Sequence, residues 1–373
     1  MKYYIIAGEA SGDLHGSNLM KAIVKEDPKA IFRFWGGDLM QAQGGTLVKH
    51  YRELAFMGFL EVILNIRTIF KNLALCKKDI SNFKPDTIIF IDYPGFNMRI
   101  AKWAKSLGKD TQYYISPQIW AWKENRIKAI KRDVNSMYVI LPFEKPFYEN
   151  KHHFPVHFVG HPLIDAIKQQ NYLNQSEFKS KYKLDERPII ALLPGSRKQE
   201  IKKMLKVMLE VSSRFKNYQF IVAGAPSQPE SFYKQTIKNN KVHFINNDTY
   251  NLLNNANAAL VTSGTATLET ALFKVPQVVC YKGSWISYEI GKRIINLKFI
   301  SLVNLIMDKE VVKELIQNKF NSNSVTNALK AILDPDKRVK ILKNYDVLEK
   351  SLGGVGASEN AAKLIVSHIE KNG

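Results

Sequence analysis

The segment GEASGDLHG (8–16) crowds Glu9, Ser11, Asp13 and His15 between three glycines that let a backbone turn tightly. It lacks the Gly-Lys-Ser/Thr of a Walker loop and the spacing of a dinucleotide fingerprint. Ser11 or Asp13 would serve there as a helix N-cap. Glu9 is harder to explain as a cap and suits acceptor binding or proton transfer. A second carboxylate, Asp92, follows the apolar run TIIFI (87–91) and precedes Pro94 and Gly95. At a strand end it could take a proton from a substrate hydroxyl; the alternative is an Asx turn at the Pro-Gly corner. Two later segments suit phosphate. ALLPGSRKQEI (191–201) sets Ser196 and Arg197 between a strand and a helix, and a guanidinium matches phosphate oxygens bidentately. VTSGTATLETAL (261–272) gathers Ser263, Gly264 and Thr265 into a nest of amides and hydroxyls fit for a diphosphate. One turn on, Glu269 could accept hydrogen bonds from a ribose diol, with a capping box as the alternative. Asn304, isolated among apolar residues in SLVNLI (301–306), reads as a ligand or a turn residue. The eight histidines show no HExxH or Cys/His spacing, and Asp334 and Asp336 flank Pro335 in what reads as a turn. No metal and no cofactor is expected.

All of these segments except SLVNLI fall where a strand gives way to a helix. In the first half, apolar runs at 3–7, 31–35, 87–91, 112–115 and 137–141 alternate with amphipathic windows. A second series, at 189–193, 219–223, 242–245, 258–262 and 277–281, does the same. Such alternation predicts an α/β fold of two doubly wound, Rossmann-like domains over about 1–165 and 166–354. The segment FVGHPLID (158–165) reads as a strand followed by a hinge, and a helix over about 355–373 should pack back on the first domain or on a partner. Ligands bind beyond the carboxyl ends of parallel strands, so two such sheets facing each other would make a cleft.

Charge and apolar patterning point to the partners. Lys plus Arg is 54 against 34 for Asp plus Glu, a net +20 in 373 residues, with 45% apolar residues. That favours polyanionic partners without choosing among nucleic acid, phosphorylated ligands and an anionic membrane. No signature of a nucleic-acid-binding module is present. GFLEVILNIRTIFKNLALCKK (58–78) repeats Phe59, Leu60, Ile63, Ile66, Phe70 and Leu73 at helical spacing, edged by Arg67, Lys71, Lys77 and Lys78. That pattern suits a helix lying in a membrane interface, or a core helix with a broad apolar face. Trp120 and Trp122 lie beside the cationic run 123–132 and suit a headgroup surface, or a merely solvated face. Cys76 and Cys280 are far apart and read as buried apolar residues in a reducing cytosol. No window reaches the roughly 18 apolar residues of a spanning helix.

Nine segments occur in the order and spacing of one family. GEASGD, ELAFMGFLEVI, IDYPGFN, SPQIWAW, LPFEKPFY, FVGHPL, LLPGSR, SGTATLE and SLVNLI resemble bacterial lipid A disaccharide synthase over essentially the whole chain. Val303 departs from the pattern, since relatives often carry Pro there. The resemblance implies a GT-B fold and an inverting transfer of 2,3-diacylglucosamine from its UDP derivative to the 6-hydroxyl of 2,3-diacylglucosamine 1-phosphate (lipid X). It implies Asp92 as general base and Glu9 as a catalytic-site carboxylate. Ser196, Arg197, Ser263, Gly264, Thr265, Glu269, Asn304 and Ser11 would bind the UDP-sugar. Met57, Phe59, Leu60, Ile63, Ile66, Arg67, Phe70 and Lys71 would meet the membrane and acceptor. The implied location is the inner face of the cytoplasmic membrane, with a homodimer left open. A UDP-GlcNAc 2-epimerase shares the architecture but has no need of an interfacial helix.

Overall fold

A computed structural model describes residues 1–54, 66–168, 170–238, 240–283 and 297–372. The chain divides into two compact units, one comprising Met1–Asp165 with Leu352–Gly373 and the other Ala166–Ser351.

The first unit is a seven-stranded parallel sheet: β1 (Lys2–Ala7), β2 (Ile31–Gly36), β3 (Thr46–His50), β4 (Thr87–Ile91), β5 (Asp110–Tyr114), β6 (Ser136–Val139) and β7 (His157–Phe158), in the order β3-β2-β1-β4-β5-β6-β7. The central strands are buried along their length, which is why they read as unbroken apolar runs and not as alternations. Among the helices beside them are α1 (Ala10–Glu26), α2 (Asp38–Gln41), α3 (Ile66–Phe83), α4 (Pro94–Ser106) and α5 (Ile127–Asp133). The sheet winds one way from β1 to β2 and the other way from β1 to β4, so the gap between the carboxyl ends of β1 and β4 is a topological switch point.

Helix α1 begins at Ala10, earlier than its glycine pattern suggests, and neither Ser11 nor Asp13 caps it. Asp13 is buried inside the helix and accepts hydrogen bonds from the amides of Gly37, Leu39 and Met40 at 2.7, 3.1 and 3.0 Å. It thereby supplies the anionic cap of α2, a partner 24 residues away in sequence. In FVGHPLID, β7 ends at Phe158 and Pro162 starts a helix that runs to Lys168 across the division between the units at Asp165. Of the tryptophan pair, Trp120 is tied down, its indole N–H donating to Glu144 at 3.2 Å, whereas Trp122 is exposed with Lys123 and Arg126 over its ring.

The last helix, α9 (Ala357–Asn372), packs on α1 within the same unit. Its first turn is capped by buried Asp165, whose carboxylate accepts from the amides of Gly356 at 2.6 Å and Ser358 at 3.4 Å. Farther along, the His368 ring lies 3.1 Å from both Ser136 and Asp110.

Two histidines of this unit, His15 and His161, are held neutral by burial, the first pushed down to about 4 and the second to about 3, with His15 adding to the shift of His161. The unfolded chain protonates each near 6.5, so between that pH and about 4 it binds more protons than the folded one. Stability must therefore fall as the pH drops through that window. Thermal unfolding should show a lower midpoint at pH 5 than at pH 7. His161→Asn, which can still accept the Leu163 amide bond that Nδ1 takes at 3.2 Å, should flatten the decline; an unchanged slope would show that His161 does not drive it.

The second unit is a six-stranded parallel sheet of β8 (Ile189–Leu193), β9 (Gln219–Gly224), β10 (His243–Asn246), β11 (Ala258–Thr262), β12 (Gln277–Tyr281) and β13 (Lys313–Ile316), in the order β10-β9-β8-β11-β12-β13. Its switch point lies between β8 and β11. Helices α6 (Lys198–Ser212), α7 (Thr265–Leu272) and α8 (Leu302–Met307) bear on the site described below. Strands β3 and β13 have no counterpart in the apolar runs because they are short edge strands of mostly exposed or half-exposed residues, and β7 meets the strand read at the start of FVGHPLID only at Phe158. Both cysteines are buried. No helix among the described residues is long and apolar enough to cross a membrane.

Candidate active site

Each unit carries polar residues at its own switch point. In the first, Ala7 and Ile91 are paired across β1 and β4, so Glu9 and Asp92 leave neighbouring strand ends. Asp92 and Tyr93 are both left-handed, with φ of 43° and 49°. Two consecutive non-glycine residues in that region need support from their surroundings. The Asp92 carbonyl accepts from the Tyr113 hydroxyl at 2.6 Å and from Asn97 Nδ2 at 2.7 Å. Asn97, fully buried, also reaches the carbonyls of Ile6 and Ile91 at 3.3 Å each, tying the two strand ends together. Burial and the neighbouring Glu9 carboxylate push the Asp92 carboxyl up to about 6, against the opposing effect of the Tyr93 amide. A group poised there is a carboxylate at neutral pH and a stronger base than an ordinary aspartate. Ser11 is exposed in the first turn of α1, on the same junction as Glu9.

The Tyr93 ring lies against Gly8, where an added Cβ would come within 2.3 Å of it. Gly8→Ala must therefore move the ring and the turn that presents Asp92. The expected result is a drop in kcat of about tenfold or more with a stability loss of about 1–3 kcal/mol, read by steady-state kinetics and thermal unfolding. Full activity in the variant would show that the turn tolerates the displacement.

In the second unit a pocket of about 340 Å³ lies over the β8/β11 switch and is lined by Gly195, Ser196, Thr262, Ser263, Gly264, Thr265 and Glu269, among others. Gly264, with φ of 140°, precedes α7 and lets the chain turn into that helix beside the pocket, where the first amides of a helix lack intrahelical acceptors. The Ser263 hydroxyl is already given to the carbonyl of Ile300 at 2.9 Å. Glu269 accepts from the Tyr250 hydroxyl at 2.9 Å, and burial raises its carboxyl above the usual range. It forms no capping box, since the residue before α7 is Gly264.

Arg197 occupies the N-cap position of α6, is exposed, and forms no ion pair with a carboxylate among the described residues. Glu200, also lining the pocket, was not legible as a site residue. Burial raises its pKa, while the Arg197 charge and the amides of Arg197 and Ser196 favour its ionised form. Its position three residues after the N-cap is capping-box spacing, a signal present in the sequence.

Asn304 corrects the expectation of a ligand residue. It is fully buried, with Nδ2 donating to Val312 and Glu314 at 2.8 and 2.9 Å and Oδ1 accepting from the amides of Val311 and Val312 at 2.8 and 2.9 Å. Every side-chain valence is spent inside the protein, pinning α8 to the start of β13. Met57, Phe59, Leu60 and Ile63 lie outside the described residues. In α3 the stripe Arg67, Phe70, Lys71, Ala74, Leu75 and Lys78 is exposed, while Leu73, Cys76 and Ile80 turn inward. The helix thus has two apolar faces, and Leu73 belongs to the inner one. No group of three or more metal-ligating side chains occurs among the described residues.

Two parallel sheets wound in this way, each with polar residues at its switch point, define a GT-B architecture. Solved structures with that fold include a UDP-GlcNAc 2-epimerase from Methanocaldococcus jannaschii in complex with UDP-GlcNAc and UDP, at TM-score 0.67 and 15% identity over 98% of this chain and 100% of that one. The glycotransferase of kitacinnamycin is similar at TM-score 0.67 and 10% identity, covering 98% of each chain. The family is resolved by sequence: the model described as Lipid-A-disaccharide synthetase matches residues 3–367. A lipid-A-disaccharide synthase from Syntrophus aciditrophicus is 40% identical over 99% of this chain and 98% of its own length. One from Geobacter metallireducens is 38% identical over 98% and 97%, and one from Coxiella burnetii is 36% identical over 97% and 96%. The chain belongs to the lipid-A-disaccharide synthase family and is a glycosyltransferase of lipid A biosynthesis.

Proposed function

We propose that the chain joins UDP-2,3-diacylglucosamine to lipid X by an inverting displacement in which Asp92 is the general base. What carries this reading is the placement of Asp92 beside Glu9 at the β1/β4 switch point in a chain of this family, with burial and the Glu9 charge raising the Asp92 carboxyl. As O6 of the acceptor attacks C1 of the donor sugar, Asp92 takes the hydroxyl proton and the C1–O bond to UDP breaks with its electron pair leaving on the diphosphate. UDP needs no acid to depart. Its charge is met by Arg197 and the amides at the start of α7, an electrostatic contribution of about 3–4 kcal/mol for one well-placed donor. Glu9 acts on Asp92 as a like charge that keeps the base strong.

The same proposal places the exposed stripe of α3 on an anionic bilayer, where both acylated substrates reside. Phe70, 63% exposed, and Leu75, 43% exposed, alternate there with Arg67, Lys71 and Lys78. The test is UDP release from UDP-2,3-diacylglucosamine by purified protein with and without lipid X in detergent. Release that requires lipid X supports the assignment. Turnover independent of the acceptor would instead favour epimerase-like chemistry.

A further inference from the structure

In the first unit, α3, α4 and α5 border an open pocket of about 480 Å³ whose lining is dominated by Lys77, Arg99, Lys102, Lys105 and Arg132 around Trp103. Its single carboxylate, Asp133, is taken by Arg132 through two bonds of 2.6 Å. The other four cations have no ion pair among the described residues. Arg99 donates to the Gly95 carbonyl at 2.8 Å and Lys105 to Asn135 at 3.0 Å, neutral acceptors that leave the charge uncompensated. Lys77 lies 5.6 Å over the Trp103 ring. Four like charges converging on one concavity repel one another, and an anion in their midst removes that cost. None of them serves the proposed chemistry.

Two observations say which anion. Phe70 and Lys77 are seven residues apart on α3 and so share one face of the helix. Leu107, 57% exposed, directly follows the lining residue Ser106 in sequence. Exposed apolar side chains thus lie two helical turns along α3 from Lys77 and next in sequence to Ser106, where a free phosphate ion would leave them in water but an acyl region would cover them. We infer that this pocket receives the phosphate of an anionic phospholipid headgroup and so seats α3 on the bilayer. The inference rests on the membrane reading proposed above and assigns it a defined site in place of diffuse charge.

The test is sedimentation with vesicles of phosphatidylcholine alone or mixed with phosphatidylglycerol, using the full chain. Three proteins are compared: wild type, the pocket variant Lys77→Gln/Lys102→Gln/Lys105→Gln, and a control with the same charge change, Lys337→Gln/Lys340→Gln/Lys343→Gln, on an exposed helix of the second unit. Thermal unfolding checks that each is folded. The pocket variant should bind the anionic vesicles on the order of a hundredfold more weakly, from roughly fivefold per cation, while the control changes by about threefold or less. Equal losses in the two variants would overturn the pocket while leaving membrane binding intact. Failure of the wild type to bind either vesicle would overturn membrane binding and the headgroup site together. Trp103 fluorescence that responds to glycerol phosphate in the wild type but not in the pocket variant, with no vesicle binding, would reassign the pocket to a soluble phosphate.

Discussion

Asp92→Asn is expected to lower kcat by about 10²–10⁴-fold, the usual worth of a positioned general base, while UDP still binds. The substitution keeps the size and removes the basicity, and the supports from Asn97 and Tyr113 reach the Asp92 backbone carbonyl, which the variant retains. In the wild type, the rate should fall as the pH drops through about 6, because the raised carboxyl is then protonated and cannot accept the O6 proton. The dependence on Glu9 gives the prediction its sign. Removing that neighbouring negative charge in Glu9→Gln lowers the Asp92 pKa, so the acid limb must shift to lower pH. A limb that stays in place would mean that another group titrates. An Asp92→Asn enzyme with near-normal kcat would remove the base from the mechanism.

Arg197→Ala is expected to lower kcat/KM by about 10²–10³-fold, the effect of removing one donor aimed at a charge that grows as the leaving group departs. Arg197→Lys should recover only part of the loss, since an ammonium cannot make the paired contacts of a guanidinium. The split between the kinetic constants is informative. A loss confined to KM means that the diphosphate is held equally in ground and transition states; a loss in kcat means that Arg197 meets charge formed during bond breaking. No effect on either would send the search for the phosphate contact to the α7 amides alone.

The central strands were legible because burial on both faces demands continuous apolar runs, and the polar segments at their ends follow those runs directly. Partnership across long sequence separations was not. Asp13 looked like a local cap because its real partners, the α2 amides, are brought near only by the pairing of β1 with β2. Asn304 looked available because nothing in SLVNLI announces that Val312 and Glu314 will consume its hydrogen bonds. The nearness of Glu9 to Asp92 required the strand order, which sets β4 beside β1 although two strands intervene in sequence. The α3 pattern was ambiguous for a different reason. A helix apolar on two faces satisfies the core and interface readings at once, and only burial tells Leu73 from Phe70.

The Asp165 cap on α9 has a consequence for biogenesis. The first sheet leaves the ribosome early, yet the helix that covers α1 is separated from it by the whole of the second unit. Until Ile365 and Val366 arrive, their apolar seat is open to water, and the nascent first unit carries a surface prone to wrong contacts. Closing it requires an encounter across a long loop, whose entropic cost grows only slowly with length. Maturation of the N-terminal half should therefore wait on the synthesis of α9, whichever unit completes its own sheet first.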